Sequence, residues 1–118
     1  ALLAKAKVGN GGAADFIIKY GLYRRLLGMR NAFSEADDLV MLDDLDACNN
    51  YELDLNDIKN AEIPISIILG SKDRLVDLKA VENFTDIVPS QTYTMDEVGH
   101  FSFFEDPAEL SKLISKIF

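Results

Sequence analysis

The sequence predicts an α/β fold in which two parallel strands are each followed by a helix. One observation is an apolar run, residues 65–69, that lies between Pro64 and Gly70, as is typical of a strand covered on both faces. Another is a second strand-like segment, residues 91–98, which is rich in threonine. A helix-like stretch separates the two segments, and this order favours parallel strands joined by a crossover.

The composition is typical of a globular domain and excludes several classes of function. With 118 residues and 48% hydrophobic content, the chain is able to bury one modest core. Its 20 acidic side chains outnumber 12 basic ones, and the net charge of -8 argues against nucleic acid and anionic lipid as partners. No segment approaches the ~18 consecutive apolar residues of a membrane span. The single cysteine, Cys48, cannot form an internal disulfide, which favours a cytoplasmic setting.

The first half of the chain predicts helices. Residues 13–29 have helical apolar spacing and indicate one amphipathic helix; the apolar positions are Phe16, Ile17, Tyr20, Tyr23 and Leu27. A second helix is predicted after Ser34, because Asp37 follows three positions later, as at a capped N-terminus. Its apolar stripe comprises Leu39, Val40, Leu42, Leu45 and Cys48. Asp54 is predicted to cap a short helical turn that ends at Lys59.

The second half predicts two more helices around the strands. Residues 78–88 have a helical pattern that Pro89 ends, and Pro107 favours the first turn of a terminal helix. The apolar positions of that terminal helix are Leu110, Leu113, Ile114, Ile117 and Phe118. Because two strands that are covered on both faces need neighbours, we expect an upstream segment of the same protein, or another chain, to complete the sheet.

Two loop sequences carry the most specific signal. Residues 63–76 read IPISIILGSKDRLV and residues 98–107 read VGHFSFFEDP, so that Asp73 and the only histidine, His100, each follow a predicted strand. These sequences resemble the C-terminal part of an α/β-hydrolase, the fold of many esterases and lipases. In that family an acid after the seventh strand and a histidine after the eighth serve one nucleophile. The resemblance is strongest over residues 63–118.

The resemblance implies that Asp73 is the acid and His100 the base of a catalytic triad. An imidazole accepts the proton of an attacking serine and later returns it to the leaving group, and its unperturbed pKa of roughly 6.5 suits both steps. The carboxylate holds the correct tautomer of the imidazole. Phe101, beside the histidine, is expected to contact the substrate, a small ester or a related compound. No cofactor is implied.

The nucleophile of such a triad is expected upstream of the chain. In the family it precedes the acid and the histidine and lies in a G-x-S-x-G turn. No serine here has that context, whether Ser34, Ser66, Ser71, Ser90, Ser102, Ser111 or Ser115. We therefore expect the last part of a longer serine hydrolase, inactive alone, with residues 1–62 a helical lid and residues 63–118 the end of the core. The alternative is a non-catalytic, hydrolase-like segment that serves binding or assembly.

The sequence also contains several weaker signals. Apolar residues of the lid are candidates for a substrate pocket, although ordinary helix packing is favoured for each: Phe16, Tyr20, Tyr23, Phe33 and Met41. Asp96 is a rival acid, and Cys48 a rival nucleophile that is better explained as a core residue. The pattern Gly9-x-Gly11-x-x-Ala14 lacks the preceding strand of a dinucleotide site. The acidic residues before Cys48 lack the spacing of a calcium loop, and one histidine with one cysteine makes zinc implausible.

Overall fold

The computed structural model describes residues 12–24 and 38–118, and its elements follow the predicted order. They are α1 (Gly12–Gly21), α2 (Asp38–Asn50), α3 (Leu55–Asn60), β1 (Ile65–Gly70), α4 (Leu78–Ile87), β2 (Ser90–Met95), α5 (Ser102–Glu105) and α6 (Pro107–Ile117). The predicted cap at Ser34, the candidate Phe33 and the glycine pattern at residues 9–11 lie outside the described residues. The α/β class predicted from the sequence is confirmed.

The two strands are parallel neighbours that α4 connects. Their register runs from Ile65 beside Ser90 to Gly70 beside Met95. Backbone pairing continues past the strand ends, because Ser71 N donates to Met95 O at 2.8 Å and Lys72 N donates to Val98 O at 2.8 Å. The loop after β1 and the loop after β2 therefore leave the same edge of the sheet side by side.

Three of the described helices have an aspartate as the N-cap residue. The carboxylate of Asp54 accepts from Asn56 N, that of Asp77 from Lys79 N, and that of Asp106 from Glu109 N, at 2.8, 2.9 and 3.1 Å. Each bond satisfies an amide that has no partner within its helix. The cap at Asp54 was predicted, whereas the four-residue helix α5 between the histidine loop and α6 was not.

The first helix is shorter than predicted. It ends at Gly21, and residues 22–24 are not helical. The carbonyl of Gly21 accepts from the backbone amide of His100 at 2.7 Å, so this oxygen bonds across the fold. The prediction that one helix continues through residues 22–24 is therefore wrong, and residues 25–29 lie outside the description.

The second helix departs from its predicted apolar stripe. Cys48 is exposed and Val40 is 56% exposed, whereas Met41, which lies off the stripe, is buried. Helix α2 packs on α1. The prediction that Cys48 is a core residue is wrong, because the apolar residues of α2 are spread around its axis and only part of them can face one neighbour.

The core is small and one side of the sheet is open. The buried apolar side chains are Phe16, Leu22, Met41, Val88, Met95 and Val98. Strand β1, expected to be covered on both faces, is only partly buried and pairs with β2 alone among the described residues. A depression of about 910 Å³ lies at the start of both strands beside α6, and its lining includes Ile65, Ile68, Ile114 and Ile117. No helix in the described ranges has the length and apolar content to cross a bilayer.

Candidate active site

An aspartate and the only histidine of the chain meet where the two strands end. The Oδ2 atom of Asp73, in the loop after β1, lies 2.9 Å from Nδ1 of His100, in the loop after β2. The side chain of Asp73 is 8% exposed and that of His100 is 38% exposed. A nearly buried carboxylate thus supports an accessible imidazole at the carboxyl edge of the sheet, where ligands of open α/β sheets bind.

Asp73 is held in position by its own loop. Its Oδ1 atom accepts hydrogen bonds from Leu75 N at 2.8 Å and from Val76 N at 3.1 Å. These amides take up one carboxylate oxygen and leave the other directed at the imidazole. Hydrogen bonds to an ionised acceptor are among the stronger ones in proteins, so the backbone fixes the orientation of the acid before any substrate is present.

This contact determines the tautomer of the imidazole. An ionised carboxylate only accepts hydrogen bonds, so the proton between Asp73 and His100 lies on Nδ1. Nε2 then carries the lone pair. Within residues 12–24 and 38–118, no group forms a hydrogen bond with Nε2. The arrangement can therefore accept a proton at Nε2 while the carboxylate stabilises the resulting imidazolium.

Phe101 packs beside the imidazole. Its ring centroid lies 5.2 Å from that of His100 with an interplanar angle of 82°. A Cβ atom on Gly21 would overlap this ring and approach Leu75 Cδ1 to 3.1 Å. The half-buried ring thus fills the space that Gly21 leaves open, and its contact with a substrate stays a prediction.

Glu105 is the functional-site residue that sequence reasoning missed. It is 5% exposed, and its carboxylate accepts from Gly99 N at 3.0 Å, Tyr23 N at 3.2 Å and Arg24 N at 2.7 Å. A buried charge is costly unless it is hydrogen-bonded, and backbone amides supply those bonds here. No signal in the sequence indicates this burial, because the neighbouring Phe103 and Phe104 are themselves exposed.

Tyr23 belongs to a surface cluster instead of an apolar pocket. It is 44% exposed, and its hydroxyl donates to Glu97 Oε2 at 2.5 Å, while Lys72 Nζ lies 3.1 Å from Glu97 Oε1. The hydrogen bonds from Tyr23 and Lys72 lower the pKa of Glu97. The bond to Glu97 raises the pKa of both Tyr23 and Lys72. The cluster joins the chain after α1 to the acid loop.

The rival acid, Asp96, has hydrogen-bond partners other than the imidazole. Oδ1 of Asp96 accepts from Ser71 Oγ at 3.2 Å and from Glu97 N at 3.0 Å. These bonds stabilise the turn after β2. The structure therefore pairs His100 with Asp73, as the sequence suggested, and gives Asp96 a different set of partners.

The structure gives the remaining candidates among the described residues no role in the site. Phe16 is buried and its ring packs on Tyr20 with centroids 4.8 Å apart, so ordinary helix packing accounts for it. Met41 is buried in α2. No hydrogen bond joins Cys48 to His100 in the part of the chain that is described. Nor do the described residues hold a group of three or more acidic, histidine or cysteine side chains arranged for a metal ion.

Known structures share this arrangement of elements. The esterase EaEST from Exiguobacterium antarcticum matches 98% of the chain with a TM-score of 0.73 and 15% identity. A thermophilic esterase matches with a TM-score of 0.73 and 22% identity, again over 98% of the chain. The 2-hydroxy-6-oxo-6-phenylhexa-2,4-dienoate hydrolase BphD from Rhodococcus sp. strain RHA1 matches 98% of the chain with a TM-score of 0.72 and 16% identity. No protein-family model and no curated protein sequence matches the chain.

These likenesses establish the fold. The chain has the fold of the C-terminal portion of an α/β-hydrolase, as the resemblance of its two loops implied. It covers 45% of EaEST and 48% of each of the other two structures, so it spans about half of their length.

Proposed function

We propose that Asp73 and His100 are the acid and the base of a serine-hydrolase triad whose nucleophile lies in a preceding segment of a longer protein. The observation that carries the proposal is the 2.9 Å contact between Asp73 Oδ2 and His100 Nδ1. It leaves Nε2 of an accessible imidazole as the proton acceptor. The fold shared with two esterases and one hydrolase gives the same expectation for the reaction class.

The chemistry follows the roles that the two side chains can play. His100 Nε2 accepts the hydroxyl proton as the serine oxygen attacks an acyl carbonyl. The carboxylate of Asp73 stabilises the imidazolium, which then gives the proton to the leaving alcohol or its equivalent. A water molecule repeats the sequence and releases the acid from the acyl-enzyme. The substrate class is a small ester or a related acyl compound, and Phe101 would lie beside it.

The proposal extends to the organisation of the whole protein. Residues 1–62 would serve as the helical lid, which the contact between Gly21 O and His100 N attaches to the histidine loop. Residues 63–118 would close the core, with a preceding segment, or another chain, pairing with the open edge of β1. The depression beside Ile65 and Ile114 offers an apolar face for such a segment.

An active-site serine probe tests the proposal. The complete protein is treated with a fluorophosphonate, and so are two variants, His100→Ala and Lys112→Ala. Lys112 lies in α6 with a side chain that is 70% exposed, so this substitution controls for surface changes. We expect labelling of the wild type and of Lys112→Ala, and loss of labelling in His100→Ala. Labelling that survives His100→Ala contradicts the role of the base, and no labelling of any form favours the binding or assembly alternative.

A further inference from the structure

Hydrogen bonds connect the backbone around His100 to the residues after α1, and the carboxylate of Glu105 accepts most of them. The amide of Gly99, immediately before the histidine, donates to Glu105 Oε1 at 3.0 Å. The same carboxylate accepts from Tyr23 N and Arg24 N, which follow α1. The amide of His100 itself donates to Gly21 O at 2.7 Å. Two links therefore fix the histidine loop to residues 21–24, one direct and one through Glu105.

The packing around Gly99 leaves no space for a side chain at this position. A Cβ atom at Gly99 would lie 2.6 Å from Gly21 O, 2.7 Å from Glu105 Oε1 and 2.8 Å from Tyr23 N. Real Cβ atoms do not approach other atoms this closely, so the backbone of the histidine loop lies directly against the carboxylate and the Gly21–Arg24 segment. The position of Glu105 consequently determines the position of Gly99.

The carboxylate is buried without a cationic side chain bonded to it among the described residues. The guanidinium of Arg24 instead donates to the carbonyl of Glu105 at 3.3 Å and to Asp106 Oδ2 at 3.1 Å. Three backbone amides therefore satisfy the charge of Glu105. These amides come from two separate segments of the chain, so the buried carboxylate joins the segments to each other.

We propose that Glu105 is a positioning residue for His100: its carboxylate, shared by the amides of Gly99, Tyr23 and Arg24, holds the imidazole against Asp73. The acid has its own support, because Leu75 N and Val76 N fix the Asp73 carboxylate. Among the described residues of its own loop, the His100 ring has the packing contact with Phe101 but no hydrogen-bond partner. Glu105 supplies support for the histidine from the end of α5, and the inference rests on the proposed role of His100 as the base.

The test compares Glu105→Gln with Glu109→Gln in the complete protein. A glutamine keeps the size of the side chain but replaces one acceptor oxygen by a donor NH₂ group. Because Gly99 N bonds Oε1 and Arg24 N bonds Oε2, one of these two amides loses its acceptor. Glu109 is an exposed residue of α6 whose side chain bonds Lys112 at 3.3 Å, and it serves as the matched control. Circular dichroism establishes that each variant is folded.

Two readouts separate positioning from general stability. Long-range ¹⁵N–¹H spectra of the His100 ring report which nitrogen carries the proton, with the signal assigned from its absence in His100→Gln. In Glu105→Gln we expect a smaller fraction of the Nδ1–H tautomer, a kcat about 10–100-fold lower and a KM within about twofold of wild type. A folded Glu105→Gln protein with the wild-type ring spectrum and kcat overturns the inference.

The outcome stays decisive in two other cases. If the complete protein shows no turnover, the proposed function fails, and the ring spectrum alone decides whether Glu105 positions His100. If Glu105→Gln does not fold, amide hydrogen exchange of the wild type decides instead. We expect Gly99, Tyr23 and Arg24 to exchange slowly and together, and exchange of Gly99 at the rate of an unstructured amide overturns the inference.

Discussion

The carbonyl oxygen of Gly99 occupies the space that a Cβ atom of Gly70 would need. Gly70 ends β1 and Gly99 lies in the loop after β2, so these two segments of the chain are in backbone-to-backbone contact at the carboxyl edge of the sheet. This approach is what brings Asp73 and His100 within hydrogen-bond distance. A side chain at Gly70 would meet the backbone of Val98 and Gly99 and separate the two loops.

We expect Gly70→Ala to destabilise the fold by about 1–3 kcal/mol, in the range of overpacked interiors. The new methyl group would meet the backbone, including Val98 C at 2.8 Å, and a backbone cannot rotate away as a flexible side chain can. Chemical denaturation of the complete protein measures the effect. Lys112→Ala, at an exposed position of α6, is the control, with an expected change within about 0.5 kcal/mol. Equal denaturation midpoints for wild type and Gly70→Ala would show that the loops can separate without cost.

Cys48 gives a prediction that separates the serine mechanism from its thiol alternative. Because Cys48 is exposed on α2, we expect a thiol reagent to modify it in the folded protein at the rate of an unhindered thiol. Substitution to serine should leave turnover and probe labelling unchanged. The matched variant is His100→Ala, which should lose both. Loss of turnover in Cys48→Ser with an intact fold would support a thiol nucleophile and contradict the proposed mechanism.

The elements that the sequence predicted best are those with local signals. Asp54 caps helix α3 as expected, because an aspartate at a helix N-terminus can be recognised from the local sequence. The strands β1 and β2 were found from apolar and threonine-rich runs that proline and glycine bound. The pairing of Asp73 with His100 was implied by the resemblance of their two loops to an α/β-hydrolase, and the two side chains lie 2.9 Å apart in the structure.

The features that were missed depend on contacts between distant segments. Gly21, the last residue of α1, bonds the amide of His100 through its carbonyl, and nothing near Gly21 in the sequence identifies that partner. Glu105 bonds amides more than 80 positions away, at Tyr23 and Arg24. The exposure of Cys48 likewise follows from which side of α2 meets α1. Helical periodicity alone did not identify that side.

The cluster of Tyr23, Lys72 and Glu97 predicts a dependence of stability on pH. Its hydrogen bonds lower the pKa of Glu97 below the ordinary value of 4.5, so the folded state binds that proton less readily than the unfolded chain. The stabilisation is present above pH 4.5 and is lost as the pH falls through the lowered pKa. The pKa of Tyr23 is raised above 10.0 and that of Lys72 above 10.5. Their contribution is present below those values and is lost as the pH rises through the raised pKa values.

We therefore expect the difference in unfolding free energy between wild type and Glu97→Gln to be largest at about pH 6–9 and to shrink toward both extremes. Denaturation curves at a series of pH values measure it, with Glu109→Gln as the surface control. High salt should reduce the difference, because the side chains of Lys72 and Glu97 are 43% and 50% exposed and their charges are screened. A difference that is constant from pH 3 to pH 7 would contradict the role of the Glu97 carboxylate.

Asp73→Asn addresses the candidate acid directly. The asparagine oxygen can still accept from Leu75 N and Val76 N, so the loop keeps its shape. The amide nitrogen then faces His100 Nδ1 and can only donate to it. The imidazole must respond by carrying its proton on Nε2. A base in that tautomer cannot accept the proton of the nucleophile, and the equivalent change in a serine protease lowers kcat by about 10⁴-fold.

We expect a loss of similar size in the complete protein, with the fold and KM retained and the ring ¹⁵N spectrum showing the Nε2–H tautomer. Asp96→Asn is the matched control, because among the described residues this aspartate bonds Ser71 and Glu97 N, whereas the imidazole bonds Asp73. Its kcat should stay within a few-fold of wild type. The reverse result, with kcat lost in Asp96→Asn and kept in Asp73→Asn, would assign the acid to Asp96. It would require the turn after β2 to rearrange when the nucleophile is in place.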